Sequence, residues 1–296
     1  MHKALNRMLK IRHRLIRAYL KFTRESSYKS KADYWPWVRI ESAGASGYRV
    51  LYSGKLACTS LPFCDLCETG GEIAIVGSGP SVNLMRFDLI SRLNCVLLNG
   101  AISLVDAYGI EPLACIIVDS TFAENRFDVL RCLPSGSNVI LTPGVIRAVL
   151  ERERAFLSKM NVYLTQNILM PVYNPGPRFR QQRDMAEQAG FSFDLDCGYV
   201  DGGTVMAVAI QLAYQVKAEK TYLIGLDIGN SASPRFYETQ RDKLKCGLSD
   251  AYESSTLPFM KAASVIFSRS GIDIYNCSPC SRLPYDVIPY CDEFKK

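Results

Sequence analysis

Small and polar residues follow three apolar runs in the first half of the 296-residue chain. The first run ends in the stretch Gly77-Ser78-Gly79, the second in Asn99 and the third in Asp119. An apolar run that ends in glycine and serine is typical of a buried strand that delivers a tight loop to a helix N-terminus, which suits a phosphate. Because the carboxyl ends of parallel strands meet at one edge of a sheet, we expect these residues to line one ligand site of the nucleotide type.

The first loop departs from the fingerprint of an ordinary dinucleotide fold, which is G-x-G-x-x-G with an acidic residue about 20 positions later. Val82 stands where the third glycine belongs, and Pro80 fits the first turn of the helix that should follow. The second run ends in Asn99, where that fold requires an acid. The sequence therefore argues against NAD or FAD as the ligand.

A second group of polar residues lies in the C-terminal half of the chain. Gly202, Gly203 and Thr204 open a predicted helix, where they offer backbone N–H groups to an anion or form only a glycine-rich helix cap. The extended segment around Tyr285 is expected to fold back onto the site or the sheet, and we include that tyrosine among the substrate-binding candidates.

Another apolar run ends in Asp227, and a polar loop follows it. That loop carries Arg235, Tyr237 and Glu238. Arginine and tyrosine at this place suit a phosphate that must be held and stabilised as it leaves. Glu238 is a further candidate for contact with substrate.

Acid–base chemistry in this chain must come from carboxylates. The only histidines are His2 and His13, both far in sequence from the strand-end loops. No Ser-His-Asp or Cys-His arrangement is possible in the main domain. Asp119 and Asp227 are therefore the best-placed bases, although a strand-end aspartate also commonly caps the next helix.

Two patterns are candidates for metal ligands, and both are weak. Asp194-x-Asp196 has the spacing that metal-dependent nucleotide-sugar transferases use, but such a pair is common by chance. The pairs Cys64/Cys67 and Cys277/Cys280 are more than two hundred residues apart, whereas zinc ribbons place theirs about 15–20 apart. We therefore predict no metal and no other cofactor.

The apolar periodicity predicts a doubly wound, mostly parallel α/β sheet of the Rossmann-like type, with strands alternating with helices. Strands are predicted over residues 72–77, 95–100, 114–119, 138–142, 162–167, 220–227 and 272–277. Helices are predicted over residues 144–158, 203–217 and 249–268.

One connection in this pattern, residues 168–200, is long for a compact domain and is a candidate lid or binding loop. It carries Arg178, Arg180 and Arg183, which suit an anionic substrate or form only a solvated basic surface.

The composition is that of a reduced α/β protein that works inside the cell. The hydrophobic content of 48% supports a large core, and no apolar stretch approaches the length of a membrane-spanning helix. The eleven cysteines are an odd number, and they are scattered as in proteins that keep their thiols reduced. We also expect no secretory signal, because the basic N-terminus has no apolar core or cleavage site.

Positive charge is concentrated in residues 1–31, which hold ten lysines and arginines against one acid. The remaining residues sum to −3, so the body does not have the charge of a nucleic-acid binder. The basic segment has an apolar stripe at helical spacing: Leu5, Met8, Leu9, Ile16, Tyr19 and Leu20. This pattern predicts a helix on an anionic membrane surface, or alternatively one that packs on the protein body. We divide the chain into this helix (1–31), an irregular region (32–70) and a catalytic domain (71–296).

With these residues in view, the chain resembles the lipopolysaccharide inner-core 3-deoxy-D-manno-octulosonic acid (Kdo) transferases of the RfaZ (WaaZ) type. The resemblance is strongest from Ala189 to Ile288, in the stretches AGFSFD, GYVDGGTVMAVAIQLAY, GLDIGNSASPRFYE and LPYDVIP. The Gly-Ser-Gly-Pro-Ser loop and Asn99 are also similar to the CMP-sialic acid transferases, a metal-independent Rossmann-like family. That family uses a histidine base, which this chain lacks at the corresponding place.

The resemblance implies CMP-Kdo as donor and a lipid A–core glycolipid as acceptor, at the cytoplasmic face of the inner membrane. As our own hypothesis for such a reaction, Gly77, Ser78, Gly79 and Asn99 would contact the cytidine ribose and phosphate, and Gly202, Gly203 and Thr204 would contact the donor sugar's carboxylate or phosphate. Arg235 and Tyr237 would hold the leaving phosphate, and Asp119 would be the base ahead of Asp227 and Glu238. Two alternatives stay open: another CMP-nonulosonate as donor, or a non-catalytic nucleotide-binding protein at the membrane.

Overall fold

The structure is a computed structural model that describes residues 2–23, 31–44, 47–66, 70–229, 233–241 and 250–296, with side chains from residue 11 onward except residue 13. Its first element is helix α1 (His2–Phe22), which is followed by a three-stranded antiparallel sheet. The strands of this small sheet are β1 (Val38–Ser42), β2 (Tyr48–Tyr52) and β3 (Lys55–Thr59). The expectation of an irregular region over residues 32–70 is therefore wrong for residues 38–42, 48–52 and 55–59.

The main sheet has seven strands, all parallel. They are β4 (Glu72–Val76), β5 (Asn94–Leu98), β6 (Ala114–Ile117), β7 (Asn138–Leu141), β8 (Asn161–Leu164), β9 (Lys220–Ile224) and β10 (Asp273–Asn276). Each lies within two residues of a predicted strand start. Parallel strands are covered on both faces and so read as continuous apolar runs, which explains why the sequence predicts them well.

Helices cover both faces of this sheet. Those between β4 and β8 are α2 (Phe87–Ile90), α3 (Leu104–Tyr108), α4 (Ser120–Asn125), α5 (Phe127–Leu130) and α6 (Pro143–Arg152). Those after β8 are α7 (Phe179–Ala189), α8 (Val205–Gln215) and α9 (Leu257–Arg269). One buried cluster joins α6 and the small sheet to one face, and the other joins α8 and α9 to the opposite face. The doubly wound α/β fold is confirmed.

The strand order β10-β9-β4-β5-β6-β7-β8 fixes where a ligand should bind. The chain runs outward from β4 to β8, returns across the sheet, and adds β9 and β10 on the other side of β4. The winding therefore reverses between β4 and β9, and the crevice beyond their carboxyl ends is the usual ligand site of such sheets.

The long connection over residues 168–200 is partly helical, because it contains α7 (Phe179–Ala189). Arg178 lies directly before this helix and its Nη2 is 3.4 Å from Asp194 Oδ2. Since Arg180 and Arg183 lie on or beside exposed turns of α7, the alternative of a solvated basic surface fits this segment. Its role as a lid or binding loop stays a prediction.

Helix α1 packs on the body with one face and leaves an apolar stripe on another. Leu20 is buried, and Arg12 contacts Glu151 of α6. The exposed stripe is formed by Ile11, Leu15, Tyr19 and Phe22, the last 89% exposed. Of the predicted stripe, Tyr19 is exposed, Leu20 faces the body, and the side chains of Leu5, Met8 and Leu9 lie outside the described residues. Within the described part of the chain, none of the helices is long and apolar enough to cross a membrane.

Candidate active site

The loop after β4 is joined to the loop after β9 by its own backbone. The N–H groups of Gly77 and Gly79 donate to the carbonyl oxygens of Ile224 (2.8 Å) and Gly225 (3.1 Å). A Cβ added at Gly79 would overlap the Asp227 carboxylate. The glycines thus permit the close approach of two strand ends. Because both N–H groups are used within the protein, they do not form the backbone phosphate cradle that the sequence predicted.

Asp227 caps the short turn that follows this loop. Pro80–Leu84 form a 3₁₀ turn instead of the expected helix, and the Ser81 N–H donates to Asp227 Oδ2 at 2.7 Å. Asp227 is 7% exposed, and its Oδ1 is buried without a hydrogen-bond partner in the described part of the chain. A carboxylate here repels a phosphate and attracts hydroxyl or amino donors, as on a nucleoside.

Asn99 and Gly100, at the end of β5, form the neighbouring wall. Asn99 has a φ of 49°, a left-handed conformation that asparagine tolerates better than most residues. Its Oδ1 is buried and unpartnered among the described residues. The Tyr237 ring lies against Gly100 so closely that a Cβ there would overlap it. Two loops that are far apart in sequence therefore meet at this strand end.

The hydroxyl of Tyr237 is also buried and makes no hydrogen bond of good geometry in the described structure, although the Ser78 side chain lies close to it. Burial raises the pKa of Tyr237 to about 12. The hydroxyl therefore keeps its proton near neutral pH, and it offers a hydrogen bond to a ligand oxygen. This group is a donor in the site and not a base.

Ser78 holds the polar loop after β9 against the site. Its carbonyl oxygen accepts from the Phe236 N–H at 3.3 Å, and its hydroxyl donates to Leu98 O at 3.3 Å. In the same loop, Arg235 Nη1 lies 2.7 Å from Glu238 Oε1, and the Glu238 side chain is fully buried. This ion pair largely neutralises Arg235 and makes Glu238 a poor candidate for a base.

Arg126 is a site residue that the sequence analysis missed. Its guanidinium carbon lies 4.9 Å from the centroid of the Tyr237 ring, and its side chain is 17% exposed. Its Nη1 is buried with no hydrogen-bond partner in the described part of the chain. The residue stands between two short helices in a stretch without any motif, so no signal in the sequence identifies it. Its Nε lies 3.7 Å from the exposed Asp128 carboxylate, while Nη1 stays free among the described residues, beside Tyr237.

Asp119 lies at the next strand end, after β6. Its Oδ1 accepts from the Thr121 N–H at 2.8 Å, so it caps α4 as the alternative interpretation proposed. Asp119 is exposed, and the cap uses only one carboxylate oxygen. Because β6 is next to β5, Asp119 follows the strand end that neighbours Asn99. The position suits a base that acts on a ligand held at Asn99.

The glycines before α8 are packed inside the protein. A Cβ added at Gly202 would lie 2.7 Å from the Phe259 ring, and Gly203 adopts a φ of 71°. The Thr204 hydroxyl accepts from the Met206 N–H at 3.3 Å. The glycine-rich helix cap therefore describes this segment. Met206 contacts the Gly77 region, which places the α8 N-terminus at the same edge; its contact with the donor sugar stays a prediction.

Tyr285 fastens the loop after β10. Its hydroxyl donates to the carbonyl oxygens of Ser278 (3.2 Å) and Pro279 (3.1 Å), and its ring lies 5.1 Å from Tyr290. Residues 276 and 290 form a parallel bridge, so this segment folds back onto the sheet as expected. Contact of Tyr285 with substrate stays a prediction.

The carboxylates of Asp194-x-Asp196 serve the local backbone. Asp194 Oδ1 accepts from the Asp196 N–H at 3.0 Å, and Asp196 Oδ1 accepts from the Phe63 N–H at 3.2 Å. Of the proposed cysteine pairs, Cys67 lies outside the described residues, Cys277 is buried and Cys280 is exposed. Within the described ranges no group of three or more acidic, cysteine or histidine side chains is arranged to hold a metal. The expectation of a metal-independent site stays a prediction.

We expect Asp196→Asn to stabilise the protein above pH 6. Burial raises the pKa of Asp196 to about 6, so ionising this carboxyl costs folding free energy as pH rises through that value. The amide keeps the acceptor for Phe63 and carries no charge. The gain in unfolding free energy should be about 1–3 kcal/mol at pH 8 and vanish below pH 4. Urea unfolding at both pH values measures it, and an equal gain at pH 4 would contradict this account.

A parallel sheet wound on both faces, with unpartnered polar groups near its reversal point, defines the protein as a doubly wound α/β fold with a candidate ligand site at that edge. The family model described as 3-deoxy-D-manno-octulosonic acid transferase WaaZ matches residues 144–294, just over half of the chain. The chain belongs to this family, so the resemblance to Kdo transferases is confirmed.

Two individual proteins that are similar to this chain have descriptions that match the family. A probable 3-deoxy-manno-octulosonic acid transferase of Salmonella typhimurium strain LT2 is 25% identical over 75% of this chain and 87% of its own length. The protein of that description in Escherichia coli K12 is 24% identical, over 74% and 82%.

Two solved structures have a related outline. The sialyltransferase CstII from Campylobacter jejuni, in complex with a substrate analogue, cytidine-5'-monophosphate, is 13% identical with a TM-score of 0.42, over 76% of this chain and 86% of that one. The MAf glycosyltransferase from Magnetospirillum magneticum AMB-1 is 18% identical with a TM-score of 0.41, over 72% of this chain but only 32% of that one.

Proposed function

We propose that this protein transfers Kdo from CMP-Kdo to a Kdo-containing lipid A–core acceptor in lipopolysaccharide synthesis. The observation that carries the proposal is a group of unpartnered buried polar atoms near the reversal point of the main sheet, in a chain that belongs to the Kdo transferase family. The group consists of Asn99 Oδ1, Arg126 Nη1, Asp227 Oδ1 and Tyr237 Oη. Unpaired buried polar atoms are costly, and a ligand with matching donors and acceptors removes that cost.

The two acceptor oxygens in this group suit the nucleoside. Asn99 Oδ1 and Asp227 Oδ1 accept hydrogen bonds, which ribose hydroxyls or the cytosine amino group supply. Asp227, predicted as a second candidate for the base, is assigned here to binding because its other oxygen already holds Ser81. The donors, Arg126 and Tyr237, suit the phosphate that joins the nucleoside to the sugar.

These assignments, with acceptor oxygens on the nucleoside and donors on the phosphate, define the transfer step. The acceptor hydroxyl attacks the anomeric carbon, the new C–O bond forms, and the bond from that carbon to the phosphate oxygen breaks. The hydroxyl proton passes to the Asp119 carboxylate, and CMP leaves with the bonding electron pair. Charge grows on the departing phosphate, where Arg126 and Tyr237 stabilise it more strongly than in the bound donor. No step requires a metal.

The test is release of CMP from CMP-Kdo with and without a Kdo-bearing lipid A acceptor, in the presence of EDTA. Acceptor-dependent release that survives EDTA supports a metal-independent Kdo transferase. Faster release from a CMP-sialic acid under the same conditions would move the donor to another nonulosonate. CMP binding without turnover of either donor would favour a non-catalytic role, and the absence of CMP binding would overturn the nucleotide site itself.

We also propose that α1 holds the enzyme on the cytoplasmic surface of the inner membrane. Its exposed stripe places Leu15 (67% exposed) and Phe22 (89% exposed) on one side of a helix rich in lysine and arginine. Apolar side chains enter the lipid interface while basic ones attract anionic headgroups. The apolar stripe and the basic side chains act together, so membrane binding should require both the stripe and anionic lipid.

Replacing Leu15 and Phe22 by glutamate should lower binding to phosphatidylglycerol vesicles at least tenfold in co-sedimentation, because the stripe then carries negative charge. Val265, an apolar residue on α9 that is 49% exposed, provides the matched control as Val265→Glu. Wild-type protein should bind vesicles of phosphatidylcholine alone only weakly. Equal binding of the double variant and the wild type would contradict a membrane role for α1.

A further inference from the structure

A cavity of about 110 Å³ opens at the same sheet edge as the candidate active site, beyond β6, β7 and β8. Val118 and Ser120, which flank Asp119, form one wall. Thr142, after β7, and Asn167, after β8, form the others. The space holds several water molecules, which is the room that part of a sugar ring requires. Nothing in the transfer step described above uses it.

The lining of this cavity suits sugar hydroxyls better than a phosphate. It combines the hydroxyl of Ser120, the amide of Asn167 and the carboxylate of Asp33 with the apolar Met170 and Val172, and it contains no lysine or arginine among the described residues. Hydroxyl, amide and carboxylate groups donate to and accept from hydroxyls. The cavity therefore suits an uncharged part of a sugar, whereas Arg126 and Tyr237 suit the phosphate of the CMP-sugar.

One polar group of the lining has a free donor. Asn167 Oδ1 accepts from the Leu169 N–H at 2.9 Å, which forms a turn, whereas Nδ2 makes no hydrogen bond within the described residues. The side-chain amide of Gln166, in contrast, is hydrogen-bonded to the backbone of residues 172 and 173. Asn167 is therefore the lining residue whose side chain is both fixed in place and available to a ligand.

The order of strand ends places the cavity on the far side of the proposed base. Along the edge stand Asp227, Asn99, Asp119 and then the cavity beyond β7 and β8. A base that removes a proton from an acceptor hydroxyl must lie between the two substrates. We propose that this cavity binds the acceptor sugar that presents the attacking hydroxyl; the proposal rests on the proposed function, since only a transferase needs a second sugar site.

The cavity is also connected to α1. Asp33 of its wall pairs with Arg17 of that helix at 2.9 Å, and its carbonyl oxygen accepts from the fully buried Arg147. These contacts fix the wall to the helix that carries the exposed apolar stripe. An acceptor sugar attached to a membrane lipid would therefore meet the cavity close to the surface on which α1 lies.

Two variants test this site. Asn167→Asp keeps the acceptor for the Leu169 N–H but removes the free donor and adds a charge, and Met170→Trp fills the opening, since Met170 is 49% exposed. Each should lower the ratio of acceptor-dependent to acceptor-independent CMP release at least tenfold, mainly through a higher acceptor KM. Asn161→Asp is the matched control, because Asn161 lies at the opposite end of β8 and is exposed.

The outcomes separate this site from the proposed function. Wild-type ratios in both variants, or an equal loss in Asn161→Asp, would overturn the acceptor site even if CMP-Kdo is the donor. Binding of a deacylated Kdo-containing core oligosaccharide, followed by saturation-transfer NMR, gives a readout that needs no turnover. Loss of that binding in Asn167→Asp would support the cavity even if CMP-Kdo is not consumed, and unchanged binding in both variants would refute it.

Discussion

Replacing Asp119 by asparagine is expected to lower turnover of CMP-Kdo by about 10²- to 10⁴-fold while CMP binding stays near wild type. The carboxylate accepts the proton of the attacking hydroxyl, and an amide does not. Asparagine is as good a helix cap as aspartate, so the bond from the Thr121 N–H to this side chain should persist. The variant thus removes the proposed base without removing the cap of α4.

Three variants test this prediction. Initial rates and a CMP titration of the Asn variant separate chemistry from binding. Asp119→Ala should lose activity to the same extent and in addition about 1 kcal/mol of stability, because it also loses the cap. Asp184→Asn, at an exposed position on α7, should behave as wild type. Wild-type turnover in Asp119→Asn would show that another group takes the proton.

The strand-end residues were predictable because two simple rules locate them. A parallel strand buried on both faces is a continuous apolar run, and the residue that ends the run must lie at the ligand edge. Asn99, Asp119 and Asp227 were found in this way, and the structure brings all three to one edge. The roles within that edge were less predictable, because they depend on which polar atoms the protein itself has already paired.

Gly77 and Gly79 illustrate that limit. Their motif predicted a phosphate cradle, but their N–H groups are used by residues about 147 positions later in the chain. The small sheet of β1, β2 and β3 was missed for a different reason. Its five-residue strands are buried only in part, and Val38 and Val50 are buried by packing against the main domain. Neither effect leaves a periodic signal in the local sequence.

Arg126 could not be predicted from the sequence either, because no motif or periodic signal marks it. Its replacement is expected to have the second large effect. Arg126→Gln should lower turnover about 10²- to 10³-fold, the usual loss when one donor to a developing anion is removed. The guanidinium lies in a largely buried position with one free donor beside Tyr237, where water screens its charge little. Because the phosphate gains charge as it leaves, the loss should appear in kcat more than in the KM for the donor.

Arg131 provides the matched control for this experiment. It also lies over an aromatic ring, 5.0 Å from the centroid of Phe127, and its Nη2 is 3.2 Å from Glu153, but its side chain is 61% exposed. Arg131→Gln should keep wild-type kcat, so an equal loss in both variants would indicate a structural effect. If Arg126 and Tyr237 act on one phosphate, Tyr237→Phe in the Arg126→Gln background should cost less than it does alone. Full additivity of the two losses would instead place the arginine and the tyrosine on different parts of the substrate.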